Sequence, residues 1–343
     1  MPFSSPSSAH PIAGDQIPPA PGEEITLQIS LSAGDLAYAH LTVPALVRAH
    51  PQVAHRIAVV DLCRPQRTRI FDPDRRLPEP EFSARVQRLR ELALHLQRDG
   101  LFDELVWLEP GSFLFPALAR KYTAEDMAET HDYGGCANMP YWAAIDAPST
   151  RFVLHYDADM CLYQASGYDW ALATLEVWKH YPQAVFATPR ISPPALDQAP
   201  ERNLPSIHER RPLEHVPAGW LNDWFSTRCF LVDRHRLSPL LPLARGRLTA
   251  EYRLRRWLNR GYPPSPEMLL FRSLGSRGFR RLNLADPRAW LLHPTNKPPA
   301  YLTILPQLLE CISTGHIPAA QRGRSEIDLV AWGEFLRSTT PTP

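Results

Sequence analysis

The residues best equipped for chemistry are Asp157 and Asp159, which close the run Arg151-Phe-Val-Leu-His-Tyr156 with only Ala158 between them. An apolar run of this length reads as a buried strand. In open α/β sheets, ligands bind beyond the carboxyl ends of the strands. Two carboxylates held there repel one another unless a proton or a cation intervenes. Hard divalent cations prefer oxygen ligands, so the simplest chemistry is a metal holding a phosphate-bearing ligand. A helix cap would use the same residue type, but the strand in front favours the functional reading. Asp61 closes a second apolar run, Arg56-Ile-Ala-Val-Val-Asp61. Asp72-Pro-Asp74 copies the acidic spacing without an extended apolar strand before it, and reads as a loop.

The elements that must position these acids alternate. Strands are predicted at 25–31, 56–62, 104–108, 151–156, 184–188, 228–232 and 280–284. Helices are predicted at 35–50, 82–98, 136–147, 167–181, near 250–260, and at 267–277, 301–314 and 325–337, with Pro44 bending the first. Such alternation implies an α/β fold, a mostly parallel sheet flanked by helices on both faces. The segment near 228 breaks the alternation and is expected to pair differently. Three strands precede the acidic pair. A phosphatase resembling the haloacid dehalogenases, with such a pair on its first strand, is therefore disfavoured.

Composition excludes other classes. The chain has 343 residues, 44% hydrophobic and 21% charged, enough for one large domain or two small ones. A net charge of +1 gives no electrostatic case for nucleic acid or a membrane surface. Five cysteines, at 63, 136, 161, 229 and 311, are odd in number and lack Cys-x-x-Cys spacing, which suits reduced thiols in a cytoplasmic protein. Residues 1–22 are rich in Ser, Pro and Ala and read as a disordered tail rather than a signal peptide. No run reaches the roughly 18 apolar residues of a transmembrane helix. The proline-rich stretch 189–217 is longer than ordinary loops of up to about 12–15 residues, and is expected to form a lid or a wall of the ligand site.

Taken together, Ile25-Thr-Leu-Gln-Ile-Ser-Leu31, Ile57-Ala-Val-Val-Asp61, Gly134-Gly-Cys-Ala-Asn-Met-Pro-Tyr-Trp142, His155-Tyr-Asp-Ala-Asp-Met160, Phe225-Ser-Thr-Arg-Cys-Phe-Leu-Val-Asp233, Pro266-Glu-Met-Leu-Leu270 and Ala289-Trp-Leu-Leu-His293 resemble the layout of GT-A fold glycosyltransferases, closest to the inverting, Asp-x-Asp family 2 group. The resemblance covers about residues 24–297. It implies a glycosyltransferase domain over 23–298, with a Rossmann-like nucleotide-sugar half (23–160) and an acceptor half (161–298), followed by a helical extension (299–343). His293-Pro-Thr-Asn-Lys297-Pro298 is also similar to the His…Lys-Pro motif of retaining GT-A enzymes; inversion is favoured.

What the resemblance implies about the site is specific. Asp159, Asp157 and His293 would hold Mn²⁺ or Mg²⁺, with Asp159 and His293 within about 5 Å of one another if both are metal ligands. Ser30, Ser32, Asp61, Asp157 and Lys297 would contact the nucleotide sugar, Asp61 at the base and Lys297 at a phosphate. Glu267 would be the general base, with Asp223 in reserve. Trp220 and Trp224 are the aromatics suited to stack on a sugar, and His131 and His155 read as structural or surface residues. The partners implied are a nucleotide-diphosphate sugar donor and a small-molecule, lipid-headgroup or protein acceptor, with no nucleic acid. A sugar-phosphate nucleotidyltransferase and a non-catalytic sugar-nucleotide-binding homologue remain alternatives. The first normally carries a basic phosphate loop after its opening strand, whereas Ser32-Ala-Gly-Asp-Leu36 has no Lys or Arg.

Overall fold

The computed structural model describes residues 24–125, 129–195 and 214–339. The first part of the chain forms β1 (Ile25–Ser32), α1 (Ala39–Arg48), β2 (His55–Asp61), α2 (Pro73–Arg76), α3 (Glu81–Arg98), β3 (Glu104–Leu108), α4 (Leu114–Thr123), α5 (Met139–Asp146) and β4 (Phe152–Asp157). The second forms β5 (Cys161–Gln164), α6 (Trp170–Val177), β6 (Ala184–Thr188), β7 (Glu214–Val216), β8 (Gly219–Asn222), β9 (Cys229–Asp233), α7 (Arg234–Leu237), α8 (Arg247–Trp257), α9 (Pro266–Ser273), β10 (Arg280–Leu284) and β11 (Ala289–Leu292). Helices α10 (Pro299–Ser313) and α11 (Leu329–Thr339) follow.

Nine strands form one sheet in the order β3-β2-β1-β4-β9-β6-β10-β8-β7. The first four are mutually parallel, β9 and β8 are reversed, and β6, β10 and β7 resume the direction of β4. The sheet is thus mostly parallel, and β9 is the added strand expected near 228. Alternation along the strands feeds two cores. In β2, Ala58 and Val60 join one core while Ile57 and Val59 join the other. In β4, Leu154 and Tyr156 face the first core and Val153 the second. Truncating a fully buried side chain such as Leu154 to Ala would cost about 2–5 kcal/mol.

Helix ends follow local capping chemistry. Asp169 accepts from Leu172 N at 2.8 Å to start α6, and Ser265 accepts from Met268 N at 3.3 Å to start α9. Asp72 caps α2 through Asp74 N at 3.0 Å, and Asp74 binds Arg64 and Arg67 at 2.8 and 2.6 Å. The second acidic pair therefore starts a helical turn instead of forming the expected loop. Helices α10 and α11 place Tyr301, Leu305, Leu308, Ile312 and Trp332 in the same core as β1, so the C-terminal helices pack into the domain.

The N-terminal tail expected at 1–22 lies outside the described residues, as does most of the expected lid, from 196 to 213. Among the described residues, no helix is long and apolar enough to cross a membrane.

Candidate active site

Strand register gathers the acids. Ser30 sits beside Asp157 across the β1–β4 pairing, and Ser32 beside Asp61 across β1–β2. Because these strands run parallel, all four residues reach the same edge of the sheet. A cleft of about 320 Å³ opens there, lined by Ser30, Ser32, Asp35, Tyr38, Asp61, Tyr141, Asp157, Asp159 and Lys297 among others.

A separate ribbon supplies the opposing charge. Strand β5, just after the acidic pair, pairs antiparallel with β11, with Cys161 opposite Leu292. The residues preceding Cys161 and following Leu292 therefore meet. His293 Nε2 lies 3.3 Å from Asp159 Oδ2, within the expected 5 Å, and Lys297 Nζ lies 2.6 Å from the same oxygen. The backbone of His293 is pinned on its other side, donating to Ser325 O at 2.9 Å and accepting from Ile327 N at 3.1 Å.

Asp157 is held by a different set. The Tyr141 hydroxyl lies 3.1 Å from both carboxylate oxygens, and His155 Nε2 lies 3.3 Å from Oδ1. On its far side His155 Nδ1 meets the Gln28 side-chain oxygen, whose orientation is set by Gln28 Nε2 donating to Ser30 Oγ at 3.3 Å. Burial pushes the His155 imidazole down to about 3, so it is neutral. With its proton on Nδ1, Nε2 can accept from a protonated Asp157.

The two acids of the pair diverge electrostatically. Burial, then repulsion from Asp159, lifts Asp157 to about 7. Burial also acts to raise Asp159, but His293 and Lys297 outweigh it and hold the carboxyl at about 2. Asp61 and Asp35 add to the negative field. Burial raises Asp61 to about 7 although Cys63 N donates to it at 2.9 Å. Burial, with a smaller contribution from Asp159, raises Asp35 to about 6 against hydrogen bonds from Tyr38 and Ser32. A cleft edged by four acids suits a ligand that arrives with cations.

The donor set suits a divalent ion. Asp159 Oδ1 and Asp61 Oδ2 are buried without a hydrogen-bond partner, and the imidazole and carboxylate types are those that Mn²⁺ or Mg²⁺ accept. As they stand, however, no three His, Cys, Asp or Glu side chains among the described residues converge as a metal cluster. The Lys297 ammonium occupies the contact on Asp159 that a cation would make.

No family model and no curated protein matches the chain. Among solved structures, a galactosyltransferase, LgtC, in complex with donor and acceptor sugar analogues, aligns over 93% of this chain and 97% of its own at 10% identity and a TM-score of 0.36. Residues 1–349 of S. aureus TarS in complex with UDP-GlcNAc align over 92% of this chain and 70% of that chain, at 10% identity and a TM-score of 0.38. Similarity this low carries no functional argument; the geometry must.

On the far side of Asp157, Glu267 opens α9 beside the residues that lead into β9. Its Oε1 accepts from Thr227 Oγ1 at 3.1 Å and lies 3.4 Å from Thr227 N. Burial raises its carboxyl, with Thr227 and Arg228 opposing and Asp157 reinforcing the shift. Asp223 is not brought to this group. It follows the end of β8, which runs against β10, and its backbone packs at Gly275 beyond the C-terminal end of α9. Trp224 is buried at 7% exposure against Phe271 and offers no sugar platform, whereas half-buried Trp220 carries the Arg190 guanidinium at 5.5 Å. His131 and His155, expected to be structural or surface residues, are both buried against site acids, His131 at 3.6 Å from Asp61.

Three participants escaped the sequence reading. Asp35 hides in the ordinary turn Ser32-Ala-Gly-Asp35, where its carboxylate binds Ser32 N at 2.6 Å; its place directly after β1 was the available signal. Tyr38 carries Lys297 Nζ over its ring at 5.2 Å. Tyr141 sits on α5 between buried Pro140 and buried Trp142, where an aromatic ordinarily belongs to the core.

Proposed function

We propose that this protein is a metal-dependent GT-A type glycosyltransferase that moves a sugar from a nucleotide-diphosphate sugar to an acceptor hydroxyl with inversion. The observation that carries this reading is the Asp157–Asp159 pair at the end of β4, lining a cleft of about 320 Å³, with His293 and Lys297 both in contact with Asp159. A pair of acids met by one imidazole and one ammonium has the charge pattern required to hold a cation and a diphosphate together.

Asp159, Asp157 and His293 would hold Mn²⁺ or Mg²⁺, which when bound supplies Lewis-acid stabilisation to the departing diphosphate. Lys297 would move from Asp159 to a phosphate oxygen as a point charge. Ser30, Ser32 and Asp61 line the part of the cleft where ribose and base would lie. Tyr141 and His155 keep Asp157 oriented. Glu267, its carboxyl raised by burial, would take the proton of the acceptor hydroxyl as the new bond forms.

The test is release of free nucleoside diphosphate from a panel of sugar nucleotides, with Mn²⁺, Mg²⁺ or a chelator. Metal-dependent turnover that is lost in Asp159→Asn supports the reading. Consumption of a nucleoside triphosphate with a sugar 1-phosphate would replace it with nucleotidyl transfer.

A further inference from the structure

The contact between Asp159 and His293 divides two spaces. On one side lies the acid-lined cleft. On the other, a recess of about 40 Å³ opens against Arg228, Arg281, Ser226 and Thr188, with Met160 and Leu292 among its apolar walls and His293 at its rim. Since a single water needs about 10–15 Å³, the recess has room for about three waters. That is too small for a sugar ring and about right for one substituent on a ring.

Its donors are unusual in kind. Arg228 is tied down through its backbone, whose carbonyl accepts from Asp157 N at 2.8 Å. Its guanidinium makes no hydrogen bond or close ion pair among the described residues, and its charge is felt by Asp157 and Glu267. Arg281 is 1% exposed, with Nε donating to Asn283 Oδ1 at 2.9 Å, and places a second permanent positive charge at the recess. A guanidinium presents a rigid fork that fits carboxylate and phosphate oxygens two at a time. Apolar walls strengthen such a pairing by keeping water away.

We infer that this recess recognises an anionic substituent, a carboxylate or a phosphate, on the sugar or acceptor that reaches the Asp157–Asp159 edge, with Arg228 as its specificity-determining residue. This rests on the glycosyl-transfer reading and names the substrate class within it.

The experiment separates the two. Thermal stabilisation of the full chain is measured with glucuronate, with glucose 6-phosphate and with neutral glucose, for the native protein, Arg228→Gln and Arg228→Lys. A nucleoside diphosphate with Mn²⁺ is titrated in parallel against the native protein, Arg228→Gln and Asp159→Asn. Apparent affinity for an acidic sugar should exceed that for glucose by about ten- to a hundred-fold, the range of a charged hydrogen-bonded contact. Arg228→Gln should erase that preference, Arg228→Lys should keep part of it, and the nucleotide response of Arg228→Gln should stay intact. Preference for glucuronate identifies a carboxylate on the ring, and preference for glucose 6-phosphate a phosphorylated partner. Equal response to all three sugars in the native protein, or a preference that survives Arg228→Gln, would overturn the inference. A missing nucleotide response alone would instead count against the glycosyl-transfer reading.

Discussion

Lys297 Nζ and Asp159 Oδ2 lie 2.6 Å apart, on the same oxygen that His293 approaches from 3.3 Å. A divalent ion on this oxygen must therefore displace the ammonium, whereas Oδ1 is buried without a hydrogen-bond partner.

Replacing Lys297 with Met should weaken the ligand-free protein by about 1–3 kcal/mol, the range for a charged hydrogen bond, since Asp159 keeps only His293. The same change should enlarge the rise in melting temperature on adding Mn²⁺, because the competing cation is gone. Melting curves with and without Mn²⁺ check both effects. An unchanged Mn²⁺ response would separate Lys297 from the cation site.

Asp61 makes the cleft sensitive to pH. Its folded value of about 7 lies above the ordinary 3.8. Between these values the native state keeps a proton that the unfolded chain has released, so this group's contribution to stability falls as pH rises from about 4 to 7. Asp61→Asn removes that loss while preserving an oxygen for Cys63 N. The variant should match the native protein near pH 4 and be more stable above pH 7, by on the order of 2 kcal/mol. Urea unfolding at the two pH values decides the matter.

For Glu267, the expected result is kinetic. Glu267→Gln should lower kcat by about 10²–10⁴-fold with little change in donor affinity. Activity of the native enzyme should rise with pH along a limb above the ordinary glutamate value of 4.5, because burial raises this carboxyl and only its ionised form accepts a proton. A limb at the ordinary value, or full activity in the Gln variant, would remove Glu267 from the reaction.

Gly135 tests the loop that introduces α5 and Tyr141. Its φ is +83°, and an added Cβ would lie 2.3 Å from the Phe71 ring. Gly135→Ala should cost about 1–3 kcal/mol through left-handed strain, with displacement of Phe71 adding to it. Thermal melting reads the loss, and a melting temperature equal to that of the native protein would show that the loop relaxes freely.

Much of the first part of the chain was legible because its strands announce themselves. β1, β2 and β4 are apolar runs bounded by polar residues, and each ends on a residue that now lines the cleft. β5 and β11 were not legible. Each has four residues, too few for a period to show, and they become strands only through pairing with one another. Helix α4 was missed because Pro116 and a short polar lead-in break its pattern. Asp223 stood in reserve for the general base. Direction reversal in β8, which no local pattern reveals, carries it away from the acids.

The β5–β11 ribbon also sets an order of events during synthesis. Asp157 and Asp159 leave the ribosome long before His293, Lys297 and the clamping segment Ser325–Ile327. Until then the nascent sheet carries its acids without their imidazole and ammonium counterparts. Strands β1 to β4 are made first, and the site becomes electrostatically complete only once His293, Lys297 and Ser325–Ile327 have followed.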